Sequence, residues 1–314
     1  MAQAKEIKQR IKSIKNTQKT TKAMELVSGA KMRKAVVGAV SSRTYSMLAW
    51  GIVERLMQYV DTTQYAHVRS FFEAREIETG KKTRTTLVMF SSNRGLCGAF
   101  NSNLAKMVAS YVSTHPQEEV TLICVGKKGA AKLLARGIQP TEVYEKKDSA
   151  LSDESVRTLA QQLYQHYKAE QTDKVLIAYT DFKSAIAQNP VVKQLYPIVA
   201  SDSISDLIED LTPEEQQRRH MKRLSDAPPA DYIYEPTGLS ILEYLVPRIA
   251  EVQLYQALLE SNASEHSSRM IAMKNASDAA KEMGQQLLLE FNRARQASIT
   301  KEIAEITAGS AAVS

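Results

Sequence analysis

Apolar positions near the start of the chain fall on one face of a helix. Ile7, Ile11 and Ile14 are spaced four and three, and Val36, Val40, Met47, Leu48, Ile52 and Leu56 continue a looser stripe. Between them Thr17 to Glu25 is mostly polar, with Met24 the large apolar exception. No proline precedes Pro116, and Gly29, Gly38 and Gly51 weaken a helix without ending it. The pattern predicts one helix over 3–60, roughly 87 Å long at about 1.5 Å per residue. A second helix is predicted over 240–307, roughly 100 Å long on the same basis. Its seam alternates four and three: Leu245, Ile249, Val252, Gln256, Leu259, Ala263, His266, Met270, Met273, Ser277, Ala280, Gly284, Leu287, Phe291, Ala294. Pro247 falls in its first turns, where proline costs less. Small residues along the seam permit close approach, and its polar middle argues against a permanently dry core. Two such helices at opposite ends of one chain are expected to pair antiparallel.

Between them the rhythm changes. β-Branched apolar runs occur at 85–90, 120–125 and 174–179, with helical segments at 101–113, 127–136 and 152–169. A further strand at 191–198 follows the turn-like Gln188-Asn-Pro190 and is expected at a sheet edge. This alternation predicts helices on the faces of a parallel-type sheet. The fold class is α/β: a long antiparallel coiled coil of N- and C-terminal helices plus a Rossmann-like α/β domain with a mostly parallel sheet. The expected divisions are a helix over 1–60, a connector over 61–83, an α/β domain over 84–200, a charged, Pro-containing segment over 201–238, and a helix over 239–314.

Charge changes the picture of the first helix. The 314-residue chain carries a net +6, yet residues 1–34 hold ten lysines and arginines against Glu6 and Glu25, a local +8. A basic rod calls for an acidic partner or is a solvated face. Aromatic residues and glycine are scarce there and no nucleic-acid motif is present, so nucleic acid is not expected. At 43% hydrophobic and 24% charged residues, wholesale disorder is excluded. No run approaches about 18 apolar residues, so no spanning helix is predicted. The charged start, Glu6 included, matches neither a secretory signal nor a transit peptide. Cys97 and Cys124 are too few for a disulfide framework.

Candidate chemistry is thin. Ser91-Ser-Asn-Arg-Gly-Leu-Cys-Gly98 lies between a strand and a helix, where anions bind, but it lacks both glycine-rich phosphate spacings. Gly126-Lys-Lys-Gly129 fails the same tests, and both read as tight strand-to-helix turns. Cys97 precedes a helix N-terminus, which lowers a thiol pKa, but no partner base can be placed beside it; a buried bystander thiol is the plainer reading. The five histidines show no metal spacing. No catalytic, cofactor-binding or metal residue is therefore expected. Asn292-Arg-Ala-Arg-Gln-Ala-Ser-Ile-Thr300 concentrates side chains able to make directed hydrogen bonds at the end of a rod, which points to a partner contact.

Both ends resemble the γ subunit family of F-type ATP synthases. The matching words are Lys5-Glu-Ile, Asn16-Thr-Gln-Lys-Thr-Thr-Lys-Ala-Met24 and Lys31-Met-Arg-Lys34, then Ser264-Glu-His-Ser-Ser-Arg-Met270, Met273-Lys-Asn-Ala-Ser-Asp278 and Asn292 to Thr300. Ser91 to Gly98 is similar to the family's loop in the α/β domain, and Tyr232-Ile-Tyr-Glu-Pro236 to its foot segment. The resemblance implies a non-catalytic rotor shaft. Its terminal helices would turn inside a ring of three α and three β subunits, and its α/β domain would sit beside ε and the c-ring. It would lie at the cytoplasmic face of a bacterial inner membrane, touching the membrane only through Fo. By residue, it implies contacts of Arg295, Gln296 and Thr300 with the catch region of β. Lys19, Lys22, Met24 and Arg269 would lie near the acidic lever of β, and Tyr232, Tyr234 and Glu235 would meet the c-ring and ε. The cysteine pair of the chloroplast thiol switch is absent, and the segment near 201–230 is longer and more charged than in the shorter bacterial members. Two readings stand beside the shaft: an independent α/β enzyme with helical dimerisation arms, using the 91–98 loop, and a basic coiled-coil nucleic-acid binder.

Overall fold

The computed structural model describes residues 2–59, 66–78, 80–146, 153–198, 235 and 237–313. Residues 201–230, Tyr232, Tyr234 and the side chains of Met47 and Leu48 lie outside that description. The elements are α1 (Ala2–Tyr59), α2 (Ala66–Arg69), β1 (Thr83–Phe90), α3 (Phe100–Thr114), β2 (Glu118–Val125), α4 (Lys127–Leu134), β3 (Glu142–Tyr144), α5 (Asp153–Lys168), β4 (Lys174–Phe182), β5 (Gln188–Tyr196) and α6 (Gly238–Val313). They divide into two compact units, 1–30 with 269–314, and 31–268.

The larger unit holds a five-stranded sheet in the order β3-β2-β1-β4-β5. The first four strands are parallel, and β5 runs antiparallel to β4 at the edge. Alternate side chains enter two cores, as the period of two requires. Leu87, Met89, Leu122, Cys124, Leu176 and Ala178 face α3 and α4. Val88, Phe90, Ile123, Val125, Val175, Ile177 and Tyr179 face α5 and parts of both terminal helices, through Val53, Leu56, Leu242 and Val246. Two elements were not anticipated: α2 and β3. The strand β3 has only three residues and is half-exposed, so it carries no apolar run. The edge strand starts at Gln188, three residues before the predicted onset; Pro190 is tolerated because β5 bonds on one side only.

An ion pair fastens β1 to the turn before β4. Arg84 Nη2 lies 2.6 Å from Asp173 Oδ1, and Arg84 N–H and Nε–H donate to Asp173 Oδ2. Burial pushes the Asp173 carboxyl up, but the Arg84 bonds outweigh it and hold its pKa below the ordinary 3.8. Glu118 behaves alike: burial raises it, while bonds from Tyr111, Thr85 and Lys174 bring it below 4.5. Depressed folded-state values mean stability that is present above the unfolded values and lost as pH falls through the folded ones. Thermal unfolding followed by circular dichroism should show the melting temperature falling below about pH 4. Asp173→Asn with Glu118→Gln should flatten that acid limb; an unchanged limb would contradict the assignment.

In α6, Thr237 caps the start, its hydroxyl accepting the Ser240 N–H at 3.2 Å. The helix begins at Gly238, one or two residues earlier than predicted, and Pro247 lies inside it, in its third turn. Burial of Leu242, Val246, Ile249 and Ala250 around the proline offsets the lost backbone bond. In the same unit Ser42 hydrogen-bonds Gln256, and a methyl added at Gly38 would meet Leu259 Cδ2 at 3.3 Å. The index falls on α1 as it rises on α6, so this stretch is an antiparallel pair. Its inward α1 positions are Ala35, Ala39 and Ser42, whereas Val40 and Ile52, expected in the stripe, are about half exposed. Small residues win the interface because they let the backbones approach.

Candidate functional site

In the smaller unit the first thirty residues pair with the last part of α6. A methyl built at Gly29 would lie 3.3 Å from Met270 Sδ, and one at Gly284 would lie 3.8 Å from Ile14 Cγ2. Fifteen steps up one helix match fourteen down the other, so the pair is antiparallel with constant register. The covered α1 positions are Ile7, Ile11, Ile14, Gln18, Thr21, Met24 and Ser28. The seam thus continues straight through the polar stretch 17–25. On α6 the covered positions Met273, Ser277, Ala280, Gly284, Leu287, Phe291 and Ala294 are those of the predicted seam.

One signal in this unit was legible in the sequence and missed. Lys5, Lys8, Lys12, Lys15, Lys19 and Lys22 alternate three and four, and all six are exposed. They form a row about 25 Å long on one flank of the helix. Among the described residues only Lys22 of the six has a carboxylate partner, Glu25 at 3.0 Å. Each of the five neighbouring lysine pairs costs about 0.2–0.5 kcal/mol by like-charge repulsion. That cost falls away when an acidic surface lies along the row.

Of the residues implicated by resemblance, Lys19 and Lys22 are exposed in this row and Met24 is half-buried in the seam beside it. Arg269 is different: it is only 8% exposed. Arg295, Gln296 and Thr300 are all exposed, and the Thr300 hydroxyl donates to the Gln296 carbonyl at 3.0 Å. Beside them Ile299, Ile303 and Ile306 are 48%, 59% and 73% exposed, spaced four and three. An apolar stripe flanked by hydrogen-bonding side chains is the composition of a contact surface. Of the foot residues, only Glu235 is described, and it is exposed.

The larger unit answers the question of the 91–98 loop. In an open α/β sheet, ligands enter at the carboxyl ends of the strands, where strand order reverses, here between β1 and β4. α6 occupies the carboxyl ends of both strands. Ser261 Oγ donates to the Phe90 carbonyl at 3.0 Å and Ser264 Oγ to the Thr180 carbonyl at 3.0 Å. The Lys146 ammonium is held by Glu265 at 2.6 Å and donates to the Ser91 carbonyl at 3.2 Å. Both charged side chains are about 95% buried, at 6% and 5% exposure. A carboxylate of the chain itself thus occupies the position an incoming anion would need. Ser261, Ser264 and Glu265 lie off the predicted seam, on an α6 face that is buried against the strand ends; of the seam's own polar members in this unit, Gln256 is buried and His266 half-buried.

The glycines of Gly126-Lys-Lys-Gly129 serve packing. Gly126 has φ +113, and a methyl there would come within 2.7 Å of the Ser91 backbone. Cys97 is buried, with Asn101 Nδ2 3.1 Å from its sulfur. Burial pushes the Cys124 thiol up to about 12. Neither thiol has the electropositive, open setting of a nucleophile.

The family model for ATP synthase matches residues 3–313. The ATP synthase gamma chain of Chlorobaculum parvum is 35% identical over 318 residues, covering 100% of this chain and 99% of its own. That of Geobacter sp. (strain M21) is 37% identical over 315 residues, with the same coverage. A chain in the Euglena gracilis mitochondrial ATP synthase structure (OSCP/F1/c-ring, rotational state 3) shares the fold with TM-score 0.63 at 18% identity, covering 99% of this chain and 95% of that one. These relationships do not favour a free-standing α/β enzyme. Full-length relatedness of this order, together with a coil and sheet that match in fold, means that the chain belongs to the ATP synthase gamma-chain family.

Proposed function

We propose that this chain is the central shaft of an F-type ATP synthase. It is a non-catalytic subunit that carries torque between a proton-driven c-ring and the β catalytic sites of an α3β3 ring, with ε beside it. The observation that carries this reading is relatedness to gamma chains over the whole length. The lysine row supplies a physical basis for the contact with β. A shaft that turns past three equivalent acidic levers needs a partner attraction that varies with angle, and a row on one flank of a helix is such an attraction. In this reading Lys19 and Lys22 meet the levers from the surface, with Met24 half-buried beside them. Arg269 supports that zone from within the fold. Arg295, Gln296 and Thr300, with the exposed isoleucines, contact the catch region. Tyr232, Tyr234 and Glu235 meet the c-ring and ε. The chain sits at the cytoplasmic face of a bacterial inner membrane; no described helix is long and apolar enough to cross it.

Purified α and β subunits of a close relative test this, through ATP hydrolysis with and without the chain. The expected result is assembly of one complex and sustained multi-site turnover. Subunits that ignore this chain while accepting their own γ would refute the shaft reading. In the assembled enzyme, Arg295→Ala with Gln296→Ala should lower coupled ATP synthesis while leaving the melting temperature near wild type, because both residues are exposed. Unchanged synthesis would remove the catch contact from the proposal.

A further inference from the structure

We propose that the Lys146–Glu265 pair and the serine bonds around it form the joint through which torque passes between α6 and the sheet, an inference that rests on the shaft function. Apolar packing has no preferred direction, so a helix held by it alone can roll or slide under load. The contacts here are directional. Ser261 and Ser264 bond the ends of β1 and β4, Ser267 Oγ donates to the Ala185 carbonyl at 2.6 Å, and Ser268 Oγ to Gln188 Oε1 at 2.8 Å. Glu265 reaches to the residue two past β3. Lys146 is itself fixed, for its backbone N–H donates to Asn93 Oδ1 at 3.2 Å and its carbonyl accepts from Asn93 Nδ2. The attachments span the order β3-β2-β1-β4-β5, about 19 Å of sheet at the usual strand spacing. A slip of α6 by one residue turns every one of these side chains about 100° away from its partner.

Stability alone does not account for the ion pair. A buried pair costs desolvation of two charges, and matched apolar side chains hold such a site equally well. What the charges add is a fixed angle. Lys146 and Glu265 are thus positioning residues: they set the rotational register of the helix on the sheet without touching the catalytic sites.

The test uses the assembled, membrane-reconstituted complex with Lys146→Met together with Glu265→Met. Both native cysteines are buried, so a bead on Lys106→Cys reports the angle of the sheet domain against an immobilised α3β3 ring. The double variant should assemble and melt like wild type and hydrolyse ATP at the wild-type rate without load. It should also show a broader angular spread and lose ATP-driven proton pumping against a gradient that wild type sustains. Wild-type spread and wild-type pumping would overturn the joint. If the double variant does not assemble, Ser264→Ala with Ser267→Ala is judged by the same two readouts. A wild-type chain that assembles no rotating complex would instead overturn the shaft reading, and the joint with it.

Discussion

Glu265→Met alone should cost about 3–5 kcal/mol, among the largest losses available from a single side chain in this fold. The substitution leaves the Lys146 ammonium buried with, among the described residues, only the Ser91 carbonyl as partner. Drawing water into the α6–sheet contact is the way out, and it consumes stability. At about 2–4 °C per kcal/mol for a protein of this size class, the melting temperature should fall by roughly 6–20 °C. The adjoining apolar pair, Lys146→Met with Glu265→Met, should recover most of that loss. A double-mutant cycle therefore separates the cost of an orphaned charge from the net worth of the pair. A single variant that melts within a degree of wild type would mean that solvent reaches this pair.

Gly129→Ala should destabilise by at least about 2 kcal/mol, against the trend for a helical glycine. In an open helix the change gains about 1 kcal/mol from propensity. Here the new methyl would lie 2.3 Å from Ser91 Cβ, 2.4 Å from its Oγ and 2.7 Å from Met89 Cε. The Ser91 hydroxyl cannot swing clear without giving up its bonds to the Val125 and Gly126 carbonyls. The displacement of Ser91 also disturbs the carbonyl that Lys146 uses. Chemical denaturation of the isolated chain checks this. A variant as stable as wild type would show that β1 and α4 can separate at this point, and that the glycine is not required for close packing.

How much of this was legible in the residues differs by element. The three apolar strands and the seam of α6 were plain, because a period of two and a four–three alternation survive in composition. The strand Glu142–Tyr144 was not, since three half-exposed residues at a sheet edge carry no pattern. The α1 seam was read only in part: half-buried Gln18 and Thr21 and buried Ser28 occupy seam positions that hydrophobicity alone assigns to solvent. The lysine row was present in the numbering of the chain, and counting charge without phase concealed it. The joint at Ser261, Ser264 and Glu265 lay beyond sequence reasoning. Its partners are Phe90, Thr180 and Lys146, more than eighty residues away, and nothing local marks a serine that will meet a strand-end carbonyl.

The pairing of Ile14 with Gly284 also constrains how the chain is made. At about 5–20 residues per second, α1 leaves the ribosome tens of seconds before the segment that will cover it. Its six lysines repel one another along one flank and keep the waiting helix soluble. Closing so long an intervening chain directly is entropically costly. The sheet offers a shorter route, because α1 through Leu56 and α6 through Leu242 enter one core with it. Once that core forms, the two helices are held at high effective concentration and can zip toward their free ends. Folding rate should therefore be governed by the central sheet, with the coil following as the last event.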